Sequence, residues 1–281
     1  MDWHEQIQTA LTGGWARLRD TLLHPRTGVA ADEKVALLAS RAAPVIWLLG
    51  KVQSGKTSIV RALTDATAAE IGLGYKPCTR TAALFDFPAE APVIRFLDTR
   101  GIGEINYDPA DDMRFHEAQA HVLLVVMKAL DPQQDQVVEA VRAIRKRHPE
   151  WPVVVAQTTL HEAYPGGNHP KHYPFAAPQG LPLENGAVSP DLARSLAYQR
   201  SLFANLPGNG PLLFVPLDFT QPGDGFEPRD YGLPALLAAF EKAAPAGLLA
   251  ALKDASSQTG DRLANEAHPH IVGYATAAAV A

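Results

Sequence analysis

The 281-residue sequence has a single cysteine, Cys78, which rules out a disulfide framework and a cysteine-based zinc site. Charged residues make up only 20% of it and leave a net charge of -5, and no long basic run offsets that acidity. A dedicated nucleic-acid binder is therefore not expected. The short basic cluster Arg142, Arg145, Lys146 and Arg147 closes an expected helix, where cations favour the helix dipole in any case. No apolar stretch approaches the length that spans a bilayer, and Met1-Asp2-Trp3-His4-Glu5 lacks the charged-then-apolar layout of a signal peptide. The expectation is a cytoplasmic protein, with room for contact at the periphery of an inner membrane. Hydrophobic residues at 47% give the balance of an ordinary globular chain with a substantial core.

What is present is organised around one stretch. Gly50-Lys51-Val52-Gln53-Ser54-Gly55-Lys56-Thr57 fits the spacing G-x-x-x-x-G-K-[ST] without a mismatch. The apolar run Val45-Ile46-Trp47-Leu48-Leu49 before it has the composition of a buried parallel strand, and Ser58-Ile59-Val60-Arg61-Ala62-Leu63 after it continues a helix. A strand, a glycine loop and a helix N-terminus in succession make a concave array of backbone N–H groups suited to phosphate. Lys56 is then placed to reach the β- and γ-phosphates, and the Thr57 hydroxyl to hold Mg2+. Residues Gly50 to Ser58 form the expected nucleotide-binding loop.

Around this loop the apolar pattern alternates. Strands are expected near 44–49, 81–87, 92–98, 121–128, 152–157 and 211–217, and helices near 56–68, 109–119, 133–148, 189–204 and 233–243. The implied fold is α/β: a three-layer nucleotide-binding domain with a mostly parallel six-stranded sheet and helices on both faces. The 81–87 and 92–98 strands form its one hairpin. An N-terminal helical extension over 1–43 places Trp3, Ile7, Leu11, Trp15, Leu18 and Leu22 on one face. That face suits packing on the nucleotide domain or a membrane or partner contact. The domain itself is expected over 44–245, with an irregular insert at 161–188 rich in Pro, Gly, His and Tyr, the kind of long loop that often carries function. The insert holds His161, His169 and His172, whose spacing fits no finger or helical zinc pattern. Residues 246–281 form a C-terminal helical extension that ends in an apolar run, as a truncated hydrophobic region or a docked helix would.

Val93-Ile94-Arg95-Phe96-Leu97-Asp98-Thr99-Arg100-Gly101 is an apolar strand ending in Asp-x-x-Gly. An acid at that position orders magnesium through its water shell, and the glycine N–H senses a γ-phosphate. The phosphate loop, Asp98 to Gly101, and Thr79-Arg80 between them resemble the translation-factor-related P-loop GTPases, particularly the Era-like and dynamin-like branches. The resemblance covers roughly residues 44 to 245. It implies a bacterial GTPase that binds GTP and GDP with Mg2+, hydrolyses GTP slowly alone, and switches conformation for a protein effector. It assigns Thr79 to close on the metal and γ-phosphate, in preference to Thr81, which already begins a strand. Metal contacts fall to Thr57, Thr79 and Asp98. The catalytic group comprises Lys56, Thr79, Arg100 and Gly101, with Arg100 read either as a stabiliser of transition-state charge, in cis or across a homodimer, or as a solvated loop arginine.

Arg100 replaces the proline common in the Asp98 to Gly101 motif. Three further positions bear on the resemblance, the first being one where Era-like and dynamin-like members also carry a hydrophobic residue. Ile102 stands where a glutamine orients water in Ras-like members, so catalysis is expected from elsewhere. Gln53 stands where potassium-dependent Era-like members carry asparagine. The base-reading motif lacks its lysine. Thr159-Leu160-His161-Glu162 resembles the Thr-Leu-Arg-Asp variant of guanylate-binding proteins, which makes Thr159 and Glu162 the expected base contacts. Asp218, after the last strand, is a second contact or a turn residue. Three other readings stay open: a dynamin-like membrane GTPase that uses its C-terminal region at the membrane, an ATP or mixed-nucleotide hydrolase, and a nucleotide-gated scaffold with negligible turnover.

Overall fold

The computed structural model describes residues 44–64, 75–77, 82–87, 94–99, 117–164, 169–176, 180–182, 188–220, 226 and 228–259. Their centre is a seven-stranded sheet in the order β2-β3-β4-β1-β5-β6-β9. Its strands are β1 (Val45–Gly50), β2 (Tyr75–Pro77), β3 (Ala82–Phe87), β4 (Ile94–Thr99), β5 (Val122–Lys128), β6 (Val153–Thr158) and β9 (Leu212–Pro216). β1 pairs in parallel with β4 on one side and β5 on the other, and β5, β6 and β9 continue the parallel run. β3 turns back antiparallel on β4, the hairpin expected from the sequence. The expectation of six strands is corrected by β2, which adds a seventh on the edge of β3. Three residues ending in Pro77 carry no readable period, and a proline is tolerated there because an edge strand has one side without a ladder.

The period-two pattern along each central strand sorts residues to two cores. Leu48 on β1, Leu124 and Val126 on β5, and Val154 and Ala156 on β6 face one side, against Ile59, Val60 and Leu63 of α1 (Lys56–Thr64) and Leu236, Ala239 and Phe240 of α4 (Leu233–Thr259). Trp47, Leu49, Leu123, Val125, Met127, Val153 and Val155 face the other side, against Val137, Val138, Val141 and Ile144 of α2 (Asp135–Arg147). Helices on both faces explain why β5 and β6 are apolar at nearly every position rather than alternating. Each fully buried leucine or valine contributes about 1.5–3 kcal/mol. α3 (Pro190–Ser201) starts with Ser189, whose hydroxyl accepts from the Leu192 N–H at 3.3 Å, and with Pro190 at its first turn.

Two expectations are revised. The helix foreseen at 233–243 runs on to Thr259 and passes through Pro245, where the missing N–H removes one intrahelical bond without ending the helix. The 161–188 stretch is not structureless where it is described. Leu160–Ala163 is a 3-10 turn, and β7 (Phe175–Ala176) pairs with β8 (Leu181–Pro182) as a small hairpin. Phe175, Val188, Leu192, Leu196 and Tyr231 form a third cluster with Ala129 and Leu160, so these parts are packed on the domain. The Tyr173 hydroxyl donates to the Pro216 carbonyl at 2.7 Å, and the Tyr231 hydroxyl to the His172 carbonyl at 3.2 Å. The expected N-terminal helices over 1–43, residues 109–116 of the helix expected at 109–119, and residues beyond 259 lie outside the described residues.

Candidate functional site

Because β1, β4, β5, β6 and β9 are parallel, their carboxyl ends lie along one edge of the sheet. Gly50, Asp98, Lys128, Thr158 and Asp218 all fall at or just beyond those ends, where ligands bind in open α/β sheets. At Gly50 the chain leaves β1 so close to β5 that an added Cβ would sit 2.3 Å from the Val126 carbonyl oxygen. Only glycine fits there. Gly55 adopts φ +97° and Gln53 φ 59°, backbone conformations that let the loop curl back on itself. Ser54 N–H donates to the Lys51 carbonyl at 3.3 Å and closes the turn.

Lys56, the first residue of α1, folds over this loop. Its ammonium donates to the carbonyl of Lys51 at 2.9 Å and that of Gly50 at 3.2 Å, and the side chain is buried. The charge is thus held at the mouth of the loop, where a phosphate oxygen is a better partner than a carbonyl. Thr57, the next residue, is exposed, and its hydroxyl donates to Asp98 Oδ2 at 3.2 Å across 41 residues of sequence. The other oxygen, Asp98 Oδ1, is buried without a hydrogen-bond partner. Burial pushes the Asp98 carboxyl above its ordinary range, and the Lys56 charge and the Thr57 hydroxyl oppose that shift. An orphaned carboxylate oxygen beside a hydroxyl is the hard-oxygen donor set that suits Mg2+ held mainly through water and phosphate. Among the described residues no three His, Cys, Asp or Glu side chains come together to hold a metal. A single carboxylate is what magnesium at a nucleotide needs.

Neighbouring side chains fix the loop from outside. Thr99 Oγ1, next to Asp98, donates to the Leu48 carbonyl at 3.2 Å and accepts from Trp47 Nε1 at 3.3 Å, which pins the end of β4 to β1. Lys51 leaves the loop to pair with Asp131 at 2.8 Å, each side chain nearly three-tenths exposed. The turn that carries Asp131 is held in turn by Gln199 of α3, whose amide donates to the Lys128 carbonyl at 2.7 Å and the Asp131 carbonyl at 3.2 Å. Gln157 Nε2 donates to Gln199 Oε1 at 2.9 Å and completes a buried amide pair under the site. Neither glutamine stands out in sequence, because their partners, backbone carbonyls and each other's amide, lie far along the chain.

Beyond the loop, β6 ends at Thr158, whose hydroxyl lies 2.8 Å from the Ser54 carbonyl and 3.3 Å from that of Met127. Thr158 therefore ties the phosphate loop to the turn that follows. The next residue, Thr159, is the one expected from the sequence as a base contact. In the structure Thr159 takes a left-handed conformation, φ 57°, and its hydroxyl is buried without a partner. Gln53 and Thr159 are the two non-glycine residues with positive φ among the described residues, and both lie at this site. Such conformations persist where surrounding contacts enforce them.

Two side chains of the 3-10 turn diverge. Glu162 lies 3.4 Å from the Lys128 ammonium, with 41% of its side chain exposed. His161 turns toward Asp218, which is 1% exposed. The Asp218 carboxylate accepts from the His161 backbone N–H at 2.7 Å, and the ring Nδ1 lies 2.8 and 2.9 Å from its two oxygens. Burial pushes the Asp218 carboxyl up, opposed by its hydrogen bonds to His161. The Phe226 ring lies 4.7 Å from that of His161. The other two histidines of the insert go elsewhere: His169 stacks on Tyr231 at 3.8 Å, and the His172 carbonyl accepts from Tyr231. Of the expected site residues, Gly50 to Ser58, Asp98, Thr159, Glu162 and Asp218 are all at this edge, whereas Thr79, Arg100 and Gly101 lie outside the described residues.

Residues 45–158 match the family model described as 50S ribosome-binding GTPase. That span opens with β1 and closes with Thr158, so it takes in the phosphate loop and Asp98 but not the His161–Asp218 pair. No curated protein sequence matches the chain. Solved structures to which the chain is similar include an ADP-ribosylation-factor-like GTP-binding protein, the small COPII coat GTPase of Encephalitozoon cuniculi with GDP, at 12% identity and TM-score 0.47. It covers 85% of this chain and 89% of its own. A GTP-binding protein of the archaeon Sulfolobus solfataricus with GDP has 15% identity and TM-score 0.44, covering 73% of this chain and 53% of its own. The G domain of the T. maritima FeoB iron transporter has 17% identity and TM-score 0.39, covering 72% and 98%.

Proposed function

We propose that this chain, whose residues 45–158 match the ribosome-binding GTPase family model, is a P-loop GTPase that binds GTP with Mg2+, hydrolyses it to GDP and phosphate, and acts as a conformational switch. The observation that carries the proposal is the pairing of the Thr57 hydroxyl with Asp98 beside a loop already closed by Lys56. Gly50, Gln53 and Gly55 set the loop backbone, so its N–H groups bind the phosphates at little cost in reorganisation. Lys56 exchanges two carbonyl partners for two phosphate oxygens and so neutralises charge where the β–γ bond breaks. Thr57 and Asp98 would hold the magnesium ion, Asp98 through the metal's water, and the ion when bound supplies charge neutralisation at the phosphates.

Thr79 and Gly101, on the two segments flanking β3 and β4, are assigned to sense the γ-phosphate, with Arg100 beside them as the candidate for transition-state charge. Ile102 cannot orient water, so turnover of the isolated chain is slow. The resemblance of the motifs to Era-like members supports a bacterial switch working for a protein effector, in the cytoplasm or at the inner-membrane surface. Homodimerisation is the route by which Arg100 would act in trans. Binding of a fluorescent GDP analogue, followed by phosphate release from GTP with magnesium and with chelator, tests this reading. Magnesium-dependent release that disappears in Lys56→Ala supports it. Failure to bind guanine nucleotide at micromolar protein would overturn it.

A further inference from the structure

We propose that His161, buttressed by Asp218, is the side chain that reads the base, and that the chain selects 6-oxopurine triphosphates as a class with little regard for the 2-amino group. This rests on the nucleotide site described above. Thr158 bonds the phosphate loop, and Gly55 packs against it, with an added Cβ 3.7 Å from Thr158 Cγ2. The turn that begins at Thr159 therefore starts against the phosphate loop, and His161 is the second residue of its 3-10 segment.

Asp218 then decides what His161 offers. One carboxylate oxygen already accepts the His161 backbone N–H, and Nδ1 sits nearly equidistant from both oxygens at 2.8 and 2.9 Å. That is the geometry of an N–H donating between two acceptors, which places a hydrogen on Nδ1; in the neutral imidazole the lone pair is then on Nε2, on the side of the ring away from Asp218. Nε2 has no hydrogen-bond partner among the described residues, while the side chain keeps 25% of its surface exposed. Phe226 against the ring and Asp218 on its Nδ1 edge hold that lone pair in one direction. Glu162 is turned to Lys128 instead.

A single fixed acceptor has a definite selectivity. Guanine and hypoxanthine both carry a hydrogen on N1, and either can donate it to Nε2. Adenine carries a lone pair on N1, which faces Nε2 as acceptor against acceptor. A carboxylate in the same place would take the N1 hydrogen and a 2-amino hydrogen together. It would separate GTP from ITP by at least about tenfold, since each hydrogen bond to a charged group contributes about 1.5–3 kcal/mol. His161 has no second acceptor for the 2-amino group.

The test is competition of GTP, ITP and ATP against a fluorescent GDP analogue on the full chain, with thermal melting to confirm folding. GTP and ITP should bind within about threefold of each other and ATP at least about tenfold more weakly. His161→Phe should remove most of the discrimination against ATP. His161→Gln, which keeps one donor for Asp218 and one acceptor for the base, should retain it in part and serves if the phenylalanine variant melts early. Glu162→Ala should leave the GTP-to-ITP ratio unmoved. A tenfold or greater preference for GTP over ITP in the wild type, or unchanged base selectivity in a folded His161→Phe, overturns the assignment while leaving the nucleotide site standing. Binding of no triphosphate at all overturns both.

Discussion

The two ends of this site are built on different length scales. At the phosphate end, eight consecutive residues from Gly50 to Thr57 supply a backbone curve, a cation and a hydroxyl, and Asp98 alone comes from a distance. At the base end nothing is contiguous: Thr158 reaches back 104 residues to Ser54, His161 forward 57 to Asp218, and Gln199 back 71 to the Lys128 carbonyl. The first end uses backbone N–H groups, which every residue has, so its requirement is for glycine at positions where a Cβ will not fit. The second uses particular side chains in particular rotamers. A phosphate is the same on every nucleotide, whereas a base must be told from its isosteres.

That difference sets what was legible. The phosphate loop, the apolar strands of a mostly parallel sheet around it and the hairpin of β3 and β4 followed from spacing and apolar period, whereas the order of the strands in the sheet did not. Asp98 was legible because it ends an apolar strand. The base end was not. Thr158 and Thr159 are adjacent and chemically identical, and only the conformation at Thr159, φ 57°, shows which of them reaches the loop. His161 and Glu162 are both polar residues in one turn. Their directions differ because the buried Asp218 holds His161 and Lys128 pairs with Glu162, and both partners lie far along the chain. β2 escaped notice because three residues have no period, and the length of α4 because Pro245 reads as a stop.

Lys56→Ala gives the largest effect and tests whether the phosphate end is indifferent to the base. Losing a cation that faces two phosphates costs two charged hydrogen bonds of about 1.5–3 kcal/mol each, so triphosphate affinity should fall by roughly 10²–10⁴-fold. The loss should be equal for GTP, ITP and ATP. Isothermal titration or analogue displacement with all three measures it. A base-dependent loss would mean that the two ends are coupled through the lysine.

Thr158→Val should give an intermediate effect and tests the tie between the ends. The shape is nearly kept, but the Ser54 carbonyl loses its hydroxyl donor, which costs about 1–3 kcal/mol. For a domain of this size that lowers the melting temperature by roughly 2–4 °C per kcal/mol. If the tie positions the two ends together, nucleotide affinity and the GTP-to-ATP ratio should both fall. A folded variant with normal selectivity would show that each end is positioned on its own.

The smallest effect, and the one that separates function from stability at the phosphate end, is expected from Asp98→Asn. Burial raises the Asp98 carboxyl in the folded chain above its unfolded value. Between those two values the folded state binds more protons than the unfolded state, so stability falls as pH rises through that window, and the cost persists at neutral pH. Asparagine has nearly the same shape and no charge to desolvate. The nucleotide-free variant should therefore melt slightly higher than wild type at pH 7 and lose that advantage below the unfolded carboxylate value, where Asp98 is protonated in both states. Over the same change, magnesium-dependent GTP binding should weaken more than GDP binding in chelator, because the side chain acts through the metal. Thermal melts at acid and neutral pH, with binding measured with and without magnesium, read both quantities. A variant that melts lower at pH 7 would mean that the Lys56 charge and the Thr57 hydroxyl outweigh burial at Asp98. An equal loss of binding with and without metal would remove Asp98 from the magnesium site.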